Sequence, residues 1–469
     1  MNAVADFLSR SQPIPRRDFI KLTALAAATV AAPSLVGAAA PLRRARAPRE
    51  KLNLGLIGTG GRGMNMIRDF LQLNEEVIAF CDVDPKRLAG GVALATAAGK
   101  WSGARHYADY RKMFEAEPEL DAVVVTTPDH MHAPISLLAM SQGLHVFCEK
   151  PLARTVGEAR RMRAMARTSG VVTQMGTQGS ASPALRRAVE IIRAGVLGDI
   201  REVHIWCDRT PALAKPGLAP GIPAGMNWDV WLGVNQPREF SSNLHPFAWR
   251  WWQAFGTGPL GDMGCHLTNV AFRSLDLFAP SEIDVSIGDV LRPGMFPHDT
   301  KIDYRFPERN GRKPLTLSWY DGGRMPERAR LESHGIPQQF AKVAPTEKLI
   351  IGTKGVLYGD GYVKLQGEGR FLSIMKHAAC LAVPETIERA KLQGTLGHYN
   401  EWVEACKGHG KTYAGFEVGA AQTEMVLLGA VAVQLGRSIT WDPANLRVPG
   451  EPQADALLHP VYRPGFTVT

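Results

Sequence analysis

The sequence lacks three features that would each assign a class of protein. Its six cysteines include no Cys-x-x-Cys pair, so a zinc ribbon is not expected. Its basic residues are dispersed despite a formal net charge of +9, so we expect no nucleic-acid partner. Its early apolar stretch, Leu22–Val36, is too short to span a bilayer comfortably, and we expect no stable membrane span after processing.

No required disulfide is expected either. Cys81 and Cys148 each end a predicted buried strand, where a thiol packs as a small apolar side chain. With 469 residues, 45% hydrophobic and 21% charged, the chain is long enough for two globular domains. The predicted segments are a signal over 1–40, a linker over 41–50, a nucleotide-binding domain over 51–175, a substrate domain over 176–442 and a tail over 443–469.

The amino-terminal segment has the three parts of an export signal. Pro15-Arg-Arg-Asp-Phe-Ile-Lys21 precedes the apolar stretch, and small residues follow over Gly37–Ala40. The paired arginines resemble the twin-arginine signal of bacteria, which implies export of the folded protein to the periplasm by the twin-arginine machinery. A Sec signal with a chance Arg-Arg pair, or a retained anchor, is the alternative.

The first predicted domain begins with a dinucleotide motif. A predicted buried strand, Leu52–Ile57, leads into Gly58-Thr-Gly60-Gly61-Arg62-Gly63 and then a predicted helix over Met64–Leu73. Gly58 permits the tight turn, Gly60 lets the backbone approach a pyrophosphate, and Gly63 lets the helix pack on the strand. The helix amino-terminus then offers N–H donors to the phosphates.

A carboxylate follows the second predicted strand, Glu76–Cys81. Asp82 stands where this fold places the group that accepts hydrogen bonds from a ribose diol and repels a 2′-phosphate. We therefore predict NAD as the cofactor. NADP stays possible because Lys86 and Arg87 are close enough in sequence to reach a phosphate.

The third predicted strand, Asp121–Pro128, leads into three polar residues, Asp129, His130 and His132, before a predicted helix over Pro134–Gln142. The three could be metal ligands, although we predict no metal. A loop touching the cofactor, with His130 in solvent, is the preferred interpretation. Gly143-Leu-His-Val-Phe-Cys-Glu-Lys-Pro-Leu152 follows, and its proline places Lys150 at the carboxyl end of a strand, where open α/β sheets bind ligands. A surface salt bridge is the plain alternative.

The second predicted domain is α+β, with a large mixed or antiparallel sheet. Its strands are predicted at Asp199–Trp206, Asp284–Val290, Ile302–Phe306, Pro314–Trp319, Lys348–Gly352, Gly355–Gly359 and Tyr362–Leu365. Five tryptophans fall between Trp228 and Trp252 and suit either a sugar-binding face or packing under a loop. After a glycine-rich turn, Asp262 and His266 stand four residues apart, on one face of a predicted helix.

Together these motifs resemble the Gfo/Idh/MocA family of oxidoreductases over about residues 51–441. The resemblance implies a doubly wound Rossmann sheet followed by the α+β domain, and a catalytic lysine at Lys150 facing Asp262 and His266. It also places Gly61, Arg62, Thr127, Pro128, His132 and Glu149 among the cofactor contacts. Many relatives carry aspartate where this chain has Asn269, which bears on local hydrogen bonding and substrate preference.

The implied function is an exported NAD-dependent oxidoreductase that acts on a sugar, polyol or derivative, with tightly bound cofactor. Lys150 would be the base or the cation that acidifies the hydroxyl, His266 would share the proton transfer, and Asp262 would orient the histidine or a sugar hydroxyl. One alternative is a glycoside hydrolase that works by transient sugar oxidation. Another is a non-catalytic sugar- or partner-binding protein on the same fold. We expect a homo-oligomer.

Overall fold

The first of two sheets contains six parallel strands in the order β3-β2-β1-β4-β5-β6. The strands are β1 Asn53–Ile57, β2 Glu76–Cys81, β3 Arg105–Tyr107, β4 Ala122–Val125, β5 His145–Glu149 and β6 Thr173–Gly176. In the computed structural model the described residues are 50–211, 221–340, 343–459 and 461–466, so the predicted export signal lies outside them. Strands β2 and β3 lie on one side of β1, and strands β4 to β6 lie on the other, so the strand order reverses between β1 and β4. Folds of this kind bind ligands at the carboxyl ends of the strands at that point. The predicted Rossmann fold is confirmed.

Five helices connect these strands: α1 Arg62–Phe70, α2 Pro85–Ala97, α3 Tyr110–Ala116, α4 Asp129–Ser141 and α5 Val156–Ser169. The ends of α5 carry the expected signals, a capping box between Thr155 and Glu158 and a left-handed Gly170. The predicted start of α4 at Pro134 was wrong. The helix begins at Asp129, one turn earlier, and holds Pro134 in its interior.

The second sheet has nine strands in the order β14-β13-β12-β11-β7-β10-β9-β8-β15. They are β7 Ile200–Trp206, β8 Glu282–Ile287, β9 Thr300–Phe306, β10 Leu315–Tyr320, β11 Glu347–Gly352, β12 Gly355–Tyr358, β13 Tyr362–Leu365, β14 Leu372–Ser373 and β15 Ile439–Thr440. The mixed sheet matches the prediction in class and, within a few residues, in strand positions. The antiparallel setting predicted for β7 is half right, since β7 pairs antiparallel with β11 but parallel with β10.

Ten further helices surround this sheet and the first: α6 Pro183–Arg193, α7 Trp228–Leu232, α8 Gly258–Leu267, α9 Asn269–Leu275, α10 Arg328–Ser333, α11 Ile336–Gln339, α12 Ala378–Leu381, α13 Gly394–Cys406, α14 Phe416–Leu435 and α15 Pro452–Leu458. Two of them pack back on the first sheet. Tyr399 and Trp402 of α13 share a core with β1 and β5, and α14 lies against α5.

The helix α14 is the one described helix long and apolar enough to cross a membrane. However, 78% of its apolar window is buried inside the protein, which is the setting of a core helix. The six cysteines are likewise buried, and all are free.

Candidate active site

The turn between β1 and α1 has the shape of a phosphate cradle. Gly58 has φ of +90°, and a Cβ added at Gly63 would lie 1.9 Å from the carbonyl oxygen of Gly58. No side chain caps the start of α1 at Gly61. The N–H of Gly63 donates to the oxygen of Gly60 at 2.9 Å, and the other N–H groups of the first turn stay available to an anion. The glycine turn therefore fits the pyrophosphate of a dinucleotide.

Asp82 is fixed beside this turn. One carboxylate oxygen accepts hydrogen bonds from Thr59 N at 2.7 Å and Thr59 Oγ1 at 3.2 Å, and the other accepts from Asp84 N at 2.9 Å. Burial raises the pKa of Asp82, although these bonds and the charge of Arg87 oppose the shift. Arg87 lies against the turn, since a Cβ at Gly60 would come within 2.2 Å of its Nη1. Lys86 and Arg87 were the two basic residues that kept NADP possible, and of these Arg87 lies against the glycine turn.

Glu149 connects the glycine turn to the end of β5. Its Oε1 accepts from Arg62 Nε at 3.0 Å and from Gln178 Nε2 at 2.7 Å. Arg62 also donates to the hydroxyl of Tyr399 on α13. Gln178 and Tyr399 were missed at the sequence level. The glycines around Gln178 were the only local signal, and nothing near Tyr399 indicates its role.

Lys150 and Asp262 are in direct contact across the cavity. Lys150 Nζ donates to the main-chain oxygen of Asp262 at 2.8 Å and to its Oδ1 at 3.1 Å. Burial acts to lower the pKa of Lys150, but the charges of Asp262, Glu149 and Asp129 outweigh it and raise that pKa above its ordinary value. Lys150 is therefore held as a cation, a charge state that fits the second of its two expected roles, the cation that acidifies the hydroxyl.

The carboxylate of Asp262 also attracts two arginines. Arg209 Nε lies 3.6 Å from Oδ2 and Arg250 Nε lies 3.7 Å from Oδ1. Burial opposes the ionised form, but Lys150, Arg250 and Arg209 together lower the pKa of Asp262 to about 2. Both arginines were missed, because neither lies in a recognisable motif.

His266 is on the same helix as Asp262 and lines the same cavity as Lys150. Burial, followed by the charge of Lys150, lowers the pKa of His266 to about 3, so its ring is neutral at pH 7. Within the described ranges it has no hydrogen-bond partner. Asp262 accepts hydrogen bonds from Lys150, and among the described residues it accepts none from His266. Of the two roles expected for Asp262, the orientation of a sugar hydroxyl stays a prediction.

His132 is buried with both ring nitrogens engaged. Nδ1 lies 2.7 Å from the carbonyl oxygen of Pro151, and Nε2 lies 2.8 Å from that of Thr127. Since a carbonyl only accepts, both nitrogens carry protons and the ring is an imidazolium. Burial opposes this charge, but Cys148, Asp129 and the carbonyl of Pro151 raise the pKa of His132 to about 9. His132 thus ties the ends of β4 and β5 together, and its predicted contact with the cofactor stays a prediction, since it also lines the cavity.

The neighbours of His132 differ from expectation as well. His130 was expected in solvent but is fully buried, with Nε2 2.8 Å from the oxygen of Trp231 and its ring against Trp231 and Phe255. Asp129 accepts a hydrogen bond from Thr257 Oγ1 at 2.6 Å. The described residues contain no cluster of three or more histidine, cysteine or acidic side chains that could hold a metal.

The tryptophans after Trp228 mostly build a core. Trp228 and Trp231 stack at 4.5 Å, and with Trp249 they form a separate apolar cluster. Only Trp231 and Trp249 also line the cavity. Packing under a loop therefore explains most of this segment.

One cavity of about 630 Å³ connects the glycine turn with the side chains around Lys150. It runs from the glycine turn and Asp82, past Thr127 and Pro128, to Lys150, Asp262 and His266. Val230, Trp231 and residues within 245–250 line its other wall, and this part of the chain is tied to the end of β2. His245 Nε2 lies 3.0 Å from Asp84 Oδ2, and Asn227 N donates to Val83 O at 2.8 Å. A dinucleotide lying along the first sheet would be covered by these residues.

Comparison with known proteins agrees with this geometry. Residues 52–177 match the profile of the Gfo/Idh/MocA family, described as "Oxidoreductase family, NAD-binding Rossmann fold". The chain is 26% identical over 245 residues to a "Glycosyl hydrolase family 109 protein" of Stenotrophomonas maltophilia, covering 50% of this chain and 49% of that protein. It is 33% identical over 156 residues to the "Inositol 2-dehydrogenase" of Ralstonia nicotianae, covering 33% of this chain and 44% of that one.

The fold extends further than these sequence matches. An inositol dehydrogenase homolog from Azotobacter vinelandii, solved with NADH and myo-inositol, superimposes with a TM-score of 0.56 at 18% identity, covering 85% of this chain and 100% of the other. The chain spans about half the length, or less, of the curated relatives cited above. Residues 52–177 are therefore similar to the NAD-binding domain of the Gfo/Idh/MocA oxidoreductases, and NAD is the cofactor that this match supports.

Proposed function

We propose, on the premise of this NAD-binding oxidoreductase domain, that the protein transfers a hydride between tightly bound NAD and a CH–OH group of a sugar, polyol or derivative. The observation that carries the proposal is the continuous cavity, which begins at the glycine turn and ends at Lys150, Asp262 and His266. The dehydrogenases and the glycoside hydrolases among the relatives cited above support the substrate class.

The residues present fit the cofactor. The cradle of Gly58 and Gly63 has no room for a Cβ, Asp82 is oriented for a ribose diol, and Thr127 Oγ1 is buried without a partner among the described residues. When bound, NAD supplies the hydride acceptor for the alcohol carbon.

At the end of the cavity away from the glycine turn, Lys150 and His266 have different roles in removing the hydroxyl proton. Lys150, held as a cation by Asp262, stabilises negative charge on the reacting oxygen and so acidifies the hydroxyl. The ring of His266 is neutral and has no competing hydrogen bond in the described chain. Its low pKa makes it a weak base toward a free alcohol, but the hydroxyl becomes strongly acidic as the hydride leaves its carbon, and the ring accepts the proton at that stage. His132 is protonated and His245 is bonded to Asp84, so neither is free for this task.

A covered cofactor suits export and retention of the nucleotide. The contacts of His245 and Asn227 with the end of β2 close the wall over the nucleotide side of the cavity. We propose that the chain folds around NAD, uses Arg16 and Arg17 for the twin-arginine route, and functions in the periplasm as a homo-oligomer. Replacing both arginines by lysine should leave the precursor in the cytoplasm, and continued export of that variant would contradict the route. Light scattering measures the assembly, and a monomeric mass would contradict the homo-oligomer.

The decisive experiment is mass spectrometry of the nucleotide released from the purified protein, followed by a sugar and polyol screen for reduction of the bound cofactor. We expect NAD in near one-to-one ratio and reduction by at least one compound. Recovery of NADP would contradict the interpretation of Asp82. A protein that neither contains nor binds a nucleotide would instead be a non-catalytic binding protein.

A second candidate is glycoside cleavage by transient oxidation, which the Stenotrophomonas relative favours. Oxidation of a hydroxyl to a ketone acidifies the neighbouring C–H bond, and loss of that proton expels the aglycone and leaves a double bond. Water then adds across the double bond, which returns a solvent proton to the carbon, and the hydride finally reduces the ketone, so no net redox change occurs. An aryl glycoside incubated in D₂O distinguishes the two. Release of the aryl alcohol with deuterium on the sugar would support cleavage, and net reduction of the cofactor without release would support the dehydrogenase.

A further inference from the structure

We propose that the substrate carries an anionic group, a carboxylate or a phosphate ester, which binds Arg250 and Arg209 next to the reacting carbon. This inference rests on the proposed function, since it concerns the substrate end of the same cavity. Three observations support it: the local charge, the way Arg250 is held, and the nitrogen atoms that remain free.

The substrate end has more positive than negative charge. Lys150, Arg209 and Arg250 all surround one carboxylate, that of Asp262, so three positive charges meet one negative charge. Two other acidic groups act on Lys150: Asp129 is offset by the imidazolium of His132, and Glu149 is paired with Arg62. His266 is neutral. A neutral sugar would leave the excess positive charge unpaired in a partly buried site, whereas an anionic one would balance it.

Arg250 is positioned by its neighbours independently of any ligand. Its guanidinium carbon lies 4.3 Å from the ring centroids of both Phe247 and Trp249, and Nη1 donates to Phe247 O at 3.2 Å. Its side chain is 22% exposed. A guanidinium held between two rings and a carbonyl has little rotamer freedom left, so binding an anion costs less entropy than at a mobile surface arginine.

The nitrogens that would bind the anion are free within the described chain. Both arginines approach Asp262 through Nε, at 3.6 and 3.7 Å, beyond hydrogen-bond distance. Arg250 Nη2, and both terminal nitrogens of Arg209, have no hydrogen bond to any described residue. Terminal guanidinium nitrogens are the groups that pair with carboxylates and phosphates. Because both residues line the cavity with Lys150 and His266, such an anion would sit on the substrate itself.

The test compares matched compounds on the holoenzyme. Each of several neutral aldoses is titrated beside its own uronate and its own 6-phosphate, with tryptophan fluorescence as the binding signal and cofactor reduction as the second readout. We expect one anionic series to bind at least about 10-fold more tightly than its neutral parent, and salt to weaken that preference. Tighter binding of the uronates identifies the group as a carboxylate, and tighter binding of the phosphates identifies a phosphate ester.

The variant Arg250→Gln separates charge recognition from packing. We expect it to weaken anionic binding by about 10- to 100-fold and to weaken binding of the neutral parent by much less. Arg328→Gln, at an exposed position on α10, is the matched control and should change neither. Equal losses for both compounds in Arg250→Gln, or neutral sugars that bind as tightly as their anionic partners, would overturn the inference. If no sugar of either charge binds or reduces the cofactor, the proposed function fails as well.

Discussion

Asp262→Asn offers the sharpest test of how this site handles protons. The substitution removes the charge 3.1 Å from Lys150 Nζ but preserves the shape of the side chain. It also preserves the main-chain oxygen of residue 262, which accepts from Lys150 at 2.8 Å. The lysine should therefore remain in place while its electrostatic environment changes.

The expected shift of the lysine pKa is large and downward. An opposite charge this close typically moves a pKa by about 1–3 units, or about 1.4 kcal/mol for each unit. Loss of the carboxylate also exposes Lys150 to Arg209 and Arg250 without their shared counterion, which pushes in the same direction. The pKa of Lys150, raised in the native protein, should fall below its ordinary value in the variant.

The sign of the activity change follows from the role of the lysine. If Lys150 acts as a cation, activity is present below its pKa and is lost as pH rises through it. Asp262→Asn should then move the alkaline fall of kcat/KM for alcohol oxidation downward by about 1–3 pH units. Profiles from about pH 6 to about pH 10.5 measure this shift, and NMR titration of the lysine εCH₂ group checks it directly.

Two outcomes would refute the reasoning. A rising limb that moves to lower pH in Asp262→Asn would show that Lys150 acts as a base and that deprotonation activates it. An unchanged profile, with an unchanged lysine titration, would show that Asp262 does not set the lysine pKa. Asp289→Asn, the same chemical change at an exposed carboxylate, is the control and should reproduce the native profile.

Three other predictions follow from single contacts. Lys150→Ala should lose about 10²–10⁴-fold in turnover yet release the same amount of nucleotide on denaturation, and unimpaired turnover would contradict its role. Burial lowers the pKa of His130 and of His398 to about 3, so the unfolded chain takes up these protons first as pH falls below about 6.5, and the unfolding free energy from urea titrations should be about 2 kcal/mol lower for each histidine at about pH 5 than at about pH 8. Asn269→Asp should raise the unfolding free energy by about 1 kcal/mol, because Asn269 Oδ1 already accepts from the buried Arg273 Nε at 2.6 Å, and an unchanged denaturation curve would contradict this.

The sequence was sufficient wherever a local pattern determines a local structure. The glycine turn and the capped helix after Thr155 follow from residues a few positions apart, and the structure has both. Most strand positions in the second sheet could be predicted equally well, because the alternation of apolar and polar residues and the apolar runs are local patterns. The start of α4 was predicted wrongly because proline favours the first turn of a helix, whereas Pro134 lies in the second turn of this one.

Contacts between segments that are distant in the sequence could not be predicted from it. His130 is buried by Trp231 and Phe255, and neither position is marked in the sequence as its partner. Arg250 gains its role only because the chain returns to Asp262 after a loop. The choice between base and cation for Lys150 could not be made from its neighbours in the sequence, because burial alone would lower its pKa and the opposing charge of Asp262 comes from 112 residues away.

The end of β5 shows how two adjacent residues can serve both ends of one cavity. Neighbouring side chains in extended backbone point to opposite sides. Glu149 accordingly turns to Arg62 and the glycine turn, while Lys150 turns to Asp262 on α8. The first contact belongs to the cofactor side and the second to the substrate side, so the strand end fixes the distance between them. A shift of one residue in the pairing of β5 would exchange the two side chains, placing a carboxylate where the reacting oxygen needs a cation.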